Sequence, residues 1–306
     1  MIHREANLQF DVATTNSLRG VAILIITVFH VILYYDISPV FNVFSSVAVA
    51  VFLMLSGYGI NESWKKHGLK HYWLKKVRRV VLPYWLFLLV VAAVSRKLVW
   101  RDFLLDISFI HSSYWFIEYL VRCYVVYWVA RKFFPRHAMA VLLAFGLLSL
   151  HLFMQIEAEQ SFSFFLGVVA SEQKERLYAW KPATVRHLFW GSLGVGMFFY
   201  LFKAIPAIHQ FKGTWGYVYL LVPIKLSWGI SLVLAPYCLP AITRSGFLHV
   251  LGRCSLELYL VHMALLPCLV FGVQGALLYV ALTVVLTALF YLFDTRLMPK
   301  VIPLKS

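Results

Sequence analysis

Charged residues are scarce in this sequence, and acidic residues are the scarcest of them. Of its 306 residues only 13% are charged, with 13 aspartates and glutamates against 28 lysines and arginines, whereas 61% are hydrophobic. Soluble domains carry about 25% charged and about 45–50% apolar residues. The composition therefore excludes a soluble globular enzyme, a disordered chain and a small disulfide scaffold. It is typical of a protein that crosses a membrane many times.

Several motifs of common enzymes are also missing. The four cysteines, Cys123, Cys238, Cys254 and Cys268, have no metal-binding spacing such as C-x2-C, and no other cluster of metal-ligand residues has one. No serine elbow and no P-loop occurs. No stretch is rich enough in proline or serine to form a linker, and no repeat is visible. We therefore expect one domain over 1–306, without a metal site and without a separate soluble domain.

Apolar segments run from end to end and predict an all-α fold. Each is about as long as a membrane-crossing helix requires, except the sixth, which is shorter. The ten predicted helices cover 17–35, 43–60, 80–95, 113–130, 137–154, 161–171, 184–202, 215–236, 248–271 and 276–293. The expected architecture is a polytopic bundle of about ten transmembrane helices.

Lysine and arginine residues are distributed unevenly between the two sides of this predicted bundle. With the N-terminus inside, 21 of them fall on that side and five on the other, while Arg122 and Lys225 lie within helices. The positive-inside rule then predicts that both ends of the sequence are cytoplasmic. The same bias accounts for the net charge of +15, so we expect a multi-pass protein of the cell (inner) membrane and no nucleic-acid partner.

Charged and polar side chains inside the predicted helices are the main functional signal. A charge at the membrane centre costs at least about 2.5–3.5 kcal/mol, so each one requires a structural or functional reason. Arg19 and His30 are eleven residues apart, so they project from nearly the same side of a helix, roughly 16 Å apart along its axis. They are either a snorkelling arginine and a structural histidine, or a phosphate anchor and a general base in one groove.

A basic segment leads into the third predicted helix. Lys76 and Arg79 are spaced i, i+3 just before 80–95, so they share one face at the start of that helix. Basic side chains beside the unpaired N–H groups of a helix N-terminus suit a phosphate. The alternative interpretation of this segment is a cytoplasmic anchor of the topology.

Other intramembrane charges have two interpretations each. Glu118 and Arg122 are an i, i+4 pair, which indicates either a buried ion pair or a polar substrate pocket, and Arg253 and Glu257 repeat this spacing. Lys225 closely follows a proline, which predicts a broken helix that lines a cavity, or else a lysine with a structural partner.

One helix carries a polar stripe. Gly252, Ser255, Tyr259 and His262 are spaced by three or four residues, so they share one face of the predicted helix 248–271. Membrane helices use small and polar residues of this kind to pack against each other. The alternative is that His262 belongs to a site.

Five short motifs occur in an order and at spacings that resemble the acyltransferase-3 family of integral membrane O-acyltransferases. They are LRGVA at 18–22 with FH at 29–30, VFLMLSGY at 51–58, KKVRRVVLPY at 75–84, YWFI at 114–117 with Tyr124, and LGRCSLELYLVH at 251–262. The resemblance covers about 15 to 295, nearly the whole sequence.

The resemblance implies a ten-helix bundle that moves an acyl group, usually acetyl, from cytoplasmic acyl-coenzyme A to a hydroxyl of an extracytoplasmic glycan or lipid-linked sugar. It implies that His30 is the catalytic residue, with Arg19 as its partner in the R-x10-H motif, and that Lys76 and Arg79 bind the donor. Acetyl-coenzyme A would be a co-substrate, and no cofactor would be bound permanently. The expected partners are the donor, the acceptor, membrane lipids and, in a homo-oligomer, a second copy.

The sequence departs from the family pattern at two positions. Lys76 stands where the basic R-x-x-R pair has its first arginine, so bidentate binding of a phosphate is lost there. Many members carry W-x4-E in the fourth helix, whereas here the acid follows Trp115 by three residues. Candidates for a pocket or for stabilising an oxyanion are Ser56, Trp115, Glu118, Arg122, Tyr124, Lys225 and His262.

Two other functions use the same observations differently. A secondary transporter or flippase for a polar or glycan-linked substrate would place the intramembrane charges along a permeation path. Transporters usually contain inverted repeats, and none is visible here. A scaffold in a polysaccharide-assembly complex would explain the apolar bulk, but not why Arg19 and His30 share a helix face.

Overall fold

Helices make up nearly all of the structure. The computed structural model describes residues 8–37, 42–95, 100–110 and 112–301, and none of these residues is in a β-strand. The helices are α1 (Val12–Tyr34), α2 (Asn42–His67), α3 (Tyr72–Lys76), α4 (Leu82–Ser95), α5 (Trp100–Ser108), α6 (Trp115–Phe133), α7 (Ala138–Leu152), α8 (Gln155–Ala158), α9 (Ser163–Glu172), α10 (Lys174–Tyr178), α11 (Pro182–Ala204), α12 (Pro206–His209), α13 (Trp215–Cys238), α14 (Ala241–Arg244), α15 (Gly246–Arg253), α16 (Ser255–Leu265) and α17 (Gly272–Val301).

Six helical segments among the described residues are long and apolar enough to cross a membrane. They are Val12–Tyr34, Val43–His67, Tyr72–Val94, Pro135–Leu152, Trp215–Cys238 and Ser255–Met298. The last has 44 residues, and it forms two arms, because the chain turns at Gly272, where φ is 62°, and α17 packs back against α16. The expectation of an all-α, multi-pass membrane protein is confirmed.

Among the described residues, fewer segments meet the length and hydropathy of a membrane crossing than the ten that were predicted. A helix occupies part or all of every one of the ten predicted segments. Yet α6 contains four charged residues and α9 has only ten residues, so neither is among the six. About ten crossings, with both ends cytoplasmic, stays a prediction. The charge count on which it rests includes Arg4, Arg96, Lys97 and Lys305, which lie outside the described residues.

Two glycines bring the first and last motifs into backbone contact. A β-carbon at Gly252 would lie 1.7 Å from the carbonyl oxygen of Asn16, and one at Gly20 would lie 1.9 Å from that of Leu248. Only glycine permits so close a crossing of α1 and α15, as is common where membrane helices pack on small residues. The crossing fixes Arg19, next to Gly20, against the α15–α16 segment.

A second glycine pair joins α2 to α9. A β-carbon at Gly57 would lie 2.1 Å from the carbonyl oxygen of Phe164, and one at Gly167 would lie 1.9 Å from that of Met54. The close packing of α2 against α9 therefore explains why the second motif has a glycine at position 57. Its neighbour Ser56 lines a cavity.

The helix predicted for 248–271 is broken. Helix α15 ends at Arg253, Cys254 lies between the helices with non-helical backbone angles, and α16 begins at Ser255. The predicted stripe is therefore divided between two helices, although Gly252, Ser255 and Tyr259 still line one cavity, and Gly252 also packs on α1. The break also separates Arg253 from Glu257. Arg253 lies over the ring of Tyr291 at 5.7 Å instead.

Lys76 and Arg79 lie inside a helical segment and not before its first turn. The segment begins at Tyr72, passes through a π-helical turn, Val77–Val81, and continues as α4. Pro83 has no N–H for the carbonyl of Arg79 four residues earlier, and a π turn is a common local response to such a mismatch. The predicted phosphate site at a helix N-terminus is therefore wrong, although both side chains still face one cavity.

Large exposed hydrophobic residues cover the outer helices. They are dense on α7, α11 and α17, for example Leu148, Phe198, Leu201, Val284 and Leu289. Soluble monomers rarely expose contiguous apolar surfaces of this extent. These helices therefore present their side chains to lipid, while α2 is largely buried within the bundle.

Candidate active site

One cavity of about 620 Å³ collects residues from all five motifs. The residues predicted from the sequence that line it are Arg19, Ser56, Lys76, Arg79 and Tyr124. They come from α1, α2, α3, the π-helical turn and α6. The α16–α17 arms complete the wall with the carboxyls of Glu257 and Asp294.

Aromatic rings position Lys76 in this wall. Its ammonium lies 4.2 Å from the centre of the Tyr124 ring and 5.8 Å from that of Tyr72. The Tyr72 hydroxyl donates to the backbone carbonyl of Tyr124 at 2.7 Å, which ties α3 to α6. The hydroxyls of Ser56 and Tyr124 are neighbours. The lysine is therefore held by rings that leave its charge uncompensated.

The cavity cations have no carboxylate partner. Within the described part of the chain, no aspartate or glutamate oxygen lies within 4 Å of the charged groups of Arg19, Lys76 or Arg79. Cations grouped in a partly enclosed space create a positive potential that favours an anion. Their number suits a ligand with several negative charges.

His30 pairs with His262, outside the cavity lining. His30 Nδ1 lies 3.0 Å from His262 Nε2, and His262 Nδ1 lies 2.8 Å from the carbonyl oxygen of Leu258. The cavity extends along α1 as far as Ile26 and along α16 as far as Tyr259. It therefore ends about one helical turn short of both histidines, and the single groove expected between Arg19 and His30 is closed at that point.

A glutamate that the sequence did not single out completes the polar cluster of α6. Arg122 donates to Glu157 at 3.0 and 3.2 Å and also bonds to Glu118. Glu118 accepts from the backbone N–H of Ser112 at 2.6 Å. The predicted i, i+4 pair is confirmed, but it is part of a larger cluster outside the cavity. Trp115 begins α6 and packs against Phe116.

Lys225 is a buried structural lysine and not part of a broken helix. Helix α13 runs without interruption through Pro223, and Lys225 is only 3% exposed. Its ammonium lies 3.4 Å from a carboxylate oxygen of Glu159. The two glutamates that neutralise intramembrane cations, Glu157 and Glu159, both belong to the short segment around α8. The sequence feature that could have identified these two partners is the presence of acidic residues in a polar stretch between two apolar segments.

A polar network surrounds Asn61, in the C-terminal half of α2. Asn61, which is fully buried, donates to Ser171 at 2.9 Å and Glu172 at 3.0 Å and accepts from Tyr127 at 2.7 Å. Arg131 also binds Asn61 and Glu172. The network ties α2, α6 and α9 together beside the cavity, which Ile60 and Tyr124 line. Sequence reasoning missed it, because a lone asparagine has no distinctive spacing.

The comparisons with known proteins agree with this constellation. A family model described as an acyltransferase domain, that of the acyltransferase-3 family, matches residues 13–295. No curated protein and no solved structure matches the chain significantly. The matched range includes every residue of the cavity wall and both histidines. The chain therefore belongs to the acyltransferase-3 family of membrane acyltransferases.

Proposed function

We propose that this protein is an O-acyltransferase of the cell (inner) membrane that moves an acyl group, with acetyl expected, from cytoplasmic acyl-coenzyme A to a hydroxyl of an extracytoplasmic glycan or lipid-linked sugar. The observation that carries the proposal is the set of three cations without carboxylate partners in the wall of one cavity. One of them, Arg19, lies on the same helix as His30.

The cavity suits the phosphates of the donor. Coenzyme A carries several negative charges, and hydrogen bonds from arginine to phosphate are among the stronger ones in proteins. Arg19 and Arg79 offer planar guanidinium groups, while Lys76 contributes a point charge held by two tyrosine rings. The cavity lies within the volume range of typical small-molecule sites, about 300–1,000 Å³.

The chemistry is assigned to His30. Its imidazole takes the proton of the acceptor hydroxyl while the oxygen attacks the thioester carbonyl, so that an N–H and a C–O bond form. The tetrahedral intermediate then expels coenzyme A, and the leaving thiolate takes the proton back from the imidazolium. Holding both reactants in one site can lower the barrier by several kcal/mol. The pantetheine arm must pass Ile26 and Tyr259, where the cavity now ends.

Measurements of donor binding and of turnover test the three cations and His30 separately. Replacing Arg19, Lys76 and Arg79 with alanine should weaken acetyl-coenzyme A binding to the purified protein, measured by calorimetry. Each lost contact should cost about 1.5–3 kcal/mol, which corresponds to about ten- to a hundredfold in affinity. His30→Ala should bind the donor nearly as the wild type does but should not acylate a glycan.

A matched control removes a charge outside the cavity. Lys66 is exposed, belongs to the same basic region and does not line the cavity, so Lys66→Ala should bind the donor normally. Intact binding in the triple variant would contradict the donor site and leave the basic segment as a topology anchor. Substrate flux without acylation would then favour the transporter. Near-wild-type turnover in His30→Ala would remove His30 as the catalyst.

A further inference from the structure

The hydrogen bonds around the two histidines determine which nitrogen of each ring carries a proton. His262 is fully buried, and its Nδ1 lies 2.8 Å from the carbonyl oxygen of Leu258. A carbonyl oxygen can only accept a hydrogen bond, so His262 Nδ1 must be protonated. A neutral imidazole has only one N–H, so His262 Nε2 is left as an acceptor.

The proton position on His262 in turn determines the one on His30. His262 Nε2 lies 3.0 Å from His30 Nδ1, and because the first atom accepts, the second must donate. With its single proton on Nδ1, a neutral His30 has a bare Nε2. The opposite assignment would require a charged His262, and burial of an imidazolium without a carboxylate partner is costly. Among the described residues, no aspartate or glutamate forms an ion pair with either ring.

We infer that His262 is the positioning residue of the reaction: by accepting from His30 Nδ1, it holds His30 in the tautomer whose Nε2 is free to take the proton of the acceptor hydroxyl. This inference rests on the proposed function, because it assigns a partner to the base proposed there. The rings are also nearly parallel, with 16° between their planes and 5.3 Å between their centres, so His262 restricts the ring orientation too.

The hydrogen bond strengthens as the reaction proceeds. When His30 Nε2 takes the hydroxyl proton, His30 becomes an imidazolium that donates from both nitrogens. The bond from Nδ1–H to His262 then becomes charge-assisted and so stabilises the charge that develops in the transition state. The proton returns to the coenzyme A thiolate as the C–S bond breaks, and His262 ends the cycle as it began. This is the orienting role that a carboxylate has in a hydrolase triad, filled here by a buried neutral imidazole.

Two substitutions of His262 separate orientation from packing. Glutamine can place an amide oxygen near the position of Nε2 and accept from His30, whereas leucine fills a similar volume and accepts nothing. We expect His262→Leu to lower kcat on the order of 10²-fold with little change in KM for acetyl-coenzyme A. His262→Gln should restore most of that loss. Near-wild-type kcat in His262→Leu would overturn the inference, and so would an equal loss in both variants.

The tautomer itself can be measured without relying on activity. In protein labelled with ¹⁵N histidine, with His30→Gln used to assign the signal, His30 should show a protonated Nδ1 and an unprotonated Nε2. A signal with the proton on Nε2 would overturn the inference even if His262→Leu fails to fold. Wild-type activity in His30→Ala would instead defeat the proposed function, and the ¹⁵N signals would still confirm or contradict the hydrogen-bond assignment.

Discussion

At the scale of single residues, the charges near the membrane fall into two groups according to their partners. Arg122 and Lys225 each contact a glutamate from the segment around α8, whereas Arg19, Lys76 and Arg79 have no carboxylate partner among the described residues. A buried charge is retained when a partner offsets its desolvation or when a ligand needs it. The charges of the first group are therefore compensated within the bundle, and those of the second are available to an anion.

This division predicts a strong coupling between Glu159 and Lys225. Glu159→Gln should lower the stability of the purified protein by about 3–5 kcal/mol, because it leaves a buried ammonium without its carboxylate. Adding Lys225→Met should recover much of the loss, since no charge then remains to be compensated. Thermal unfolding in detergent measures both variants.

The control for this pair is Glu175→Gln, an exposed glutamate with no ion pair in the described structure. It should change stability by only a few tenths of a kcal/mol. If the loss in the double variant equalled the sum of the losses in Glu159→Gln and in Lys225→Met alone, the two side chains would not be coupled. Lys225 would then be available for a role in the site.

At the scale of elements, the sequence predicted the positions of the helices better than the points at which a helix is distorted or broken. Apolar segments are long, so every predicted segment contains a helix. The π-helical turn before Pro83 and the break at Cys254 depend on single residues and on packing, which hydropathy does not report. The motifs identified the cavity residues, whereas Glu157, Glu159 and Asn61 were missed because only the folded chain brings them to their partners.

The close crossing of α1 and α15 makes a quantitative prediction. Gly252→Ala would place a methyl group against the backbone of Asn16, which cannot move as a flexible side chain can. We expect a loss of about 1–3 kcal/mol of stability, typical of overpacking. We also expect weaker binding of acetyl-coenzyme A, because Arg19 would be displaced. Thermal unfolding and calorimetry measure these effects.

Gly191 provides the matched control for Gly252. It lies within α11, and a β-carbon there would meet no atom within 4 Å. Gly191→Ala should be neutral or stabilising by up to about 1 kcal/mol, because alanine favours a helix interior over glycine. If Gly252→Ala were equally harmless, the crossing would be looser than the structure has it, and the argument for the position of Arg19 would lose its support.

At the scale of the whole molecule, the cations of the cavity belong to the side that the charge bias predicts to be cytoplasmic. Arg19, Lys76 and Arg79 all belong to the group of 21 cations that the positive-inside rule places in the cytoplasm. The helix that carries Arg19 leads towards His30 and away from that side. Donor and acceptor would therefore reach the reaction from opposite faces of the membrane.

Reporter fusions test this orientation directly. A reporter that is active only outside the cytoplasm should be inactive when fused after Ser306 and active when inserted near Pro39, a position outside the described residues, between α1 and α2 in the sequence. A cytoplasmic reporter at the same two positions should give the opposite pattern and serves as the control. The reverse result would mean that the cavity faces the outside of the cell, where cytoplasmic acyl-coenzyme A cannot reach it. The cations would then face the acceptor side, and acyl transfer across the membrane by this route would be excluded.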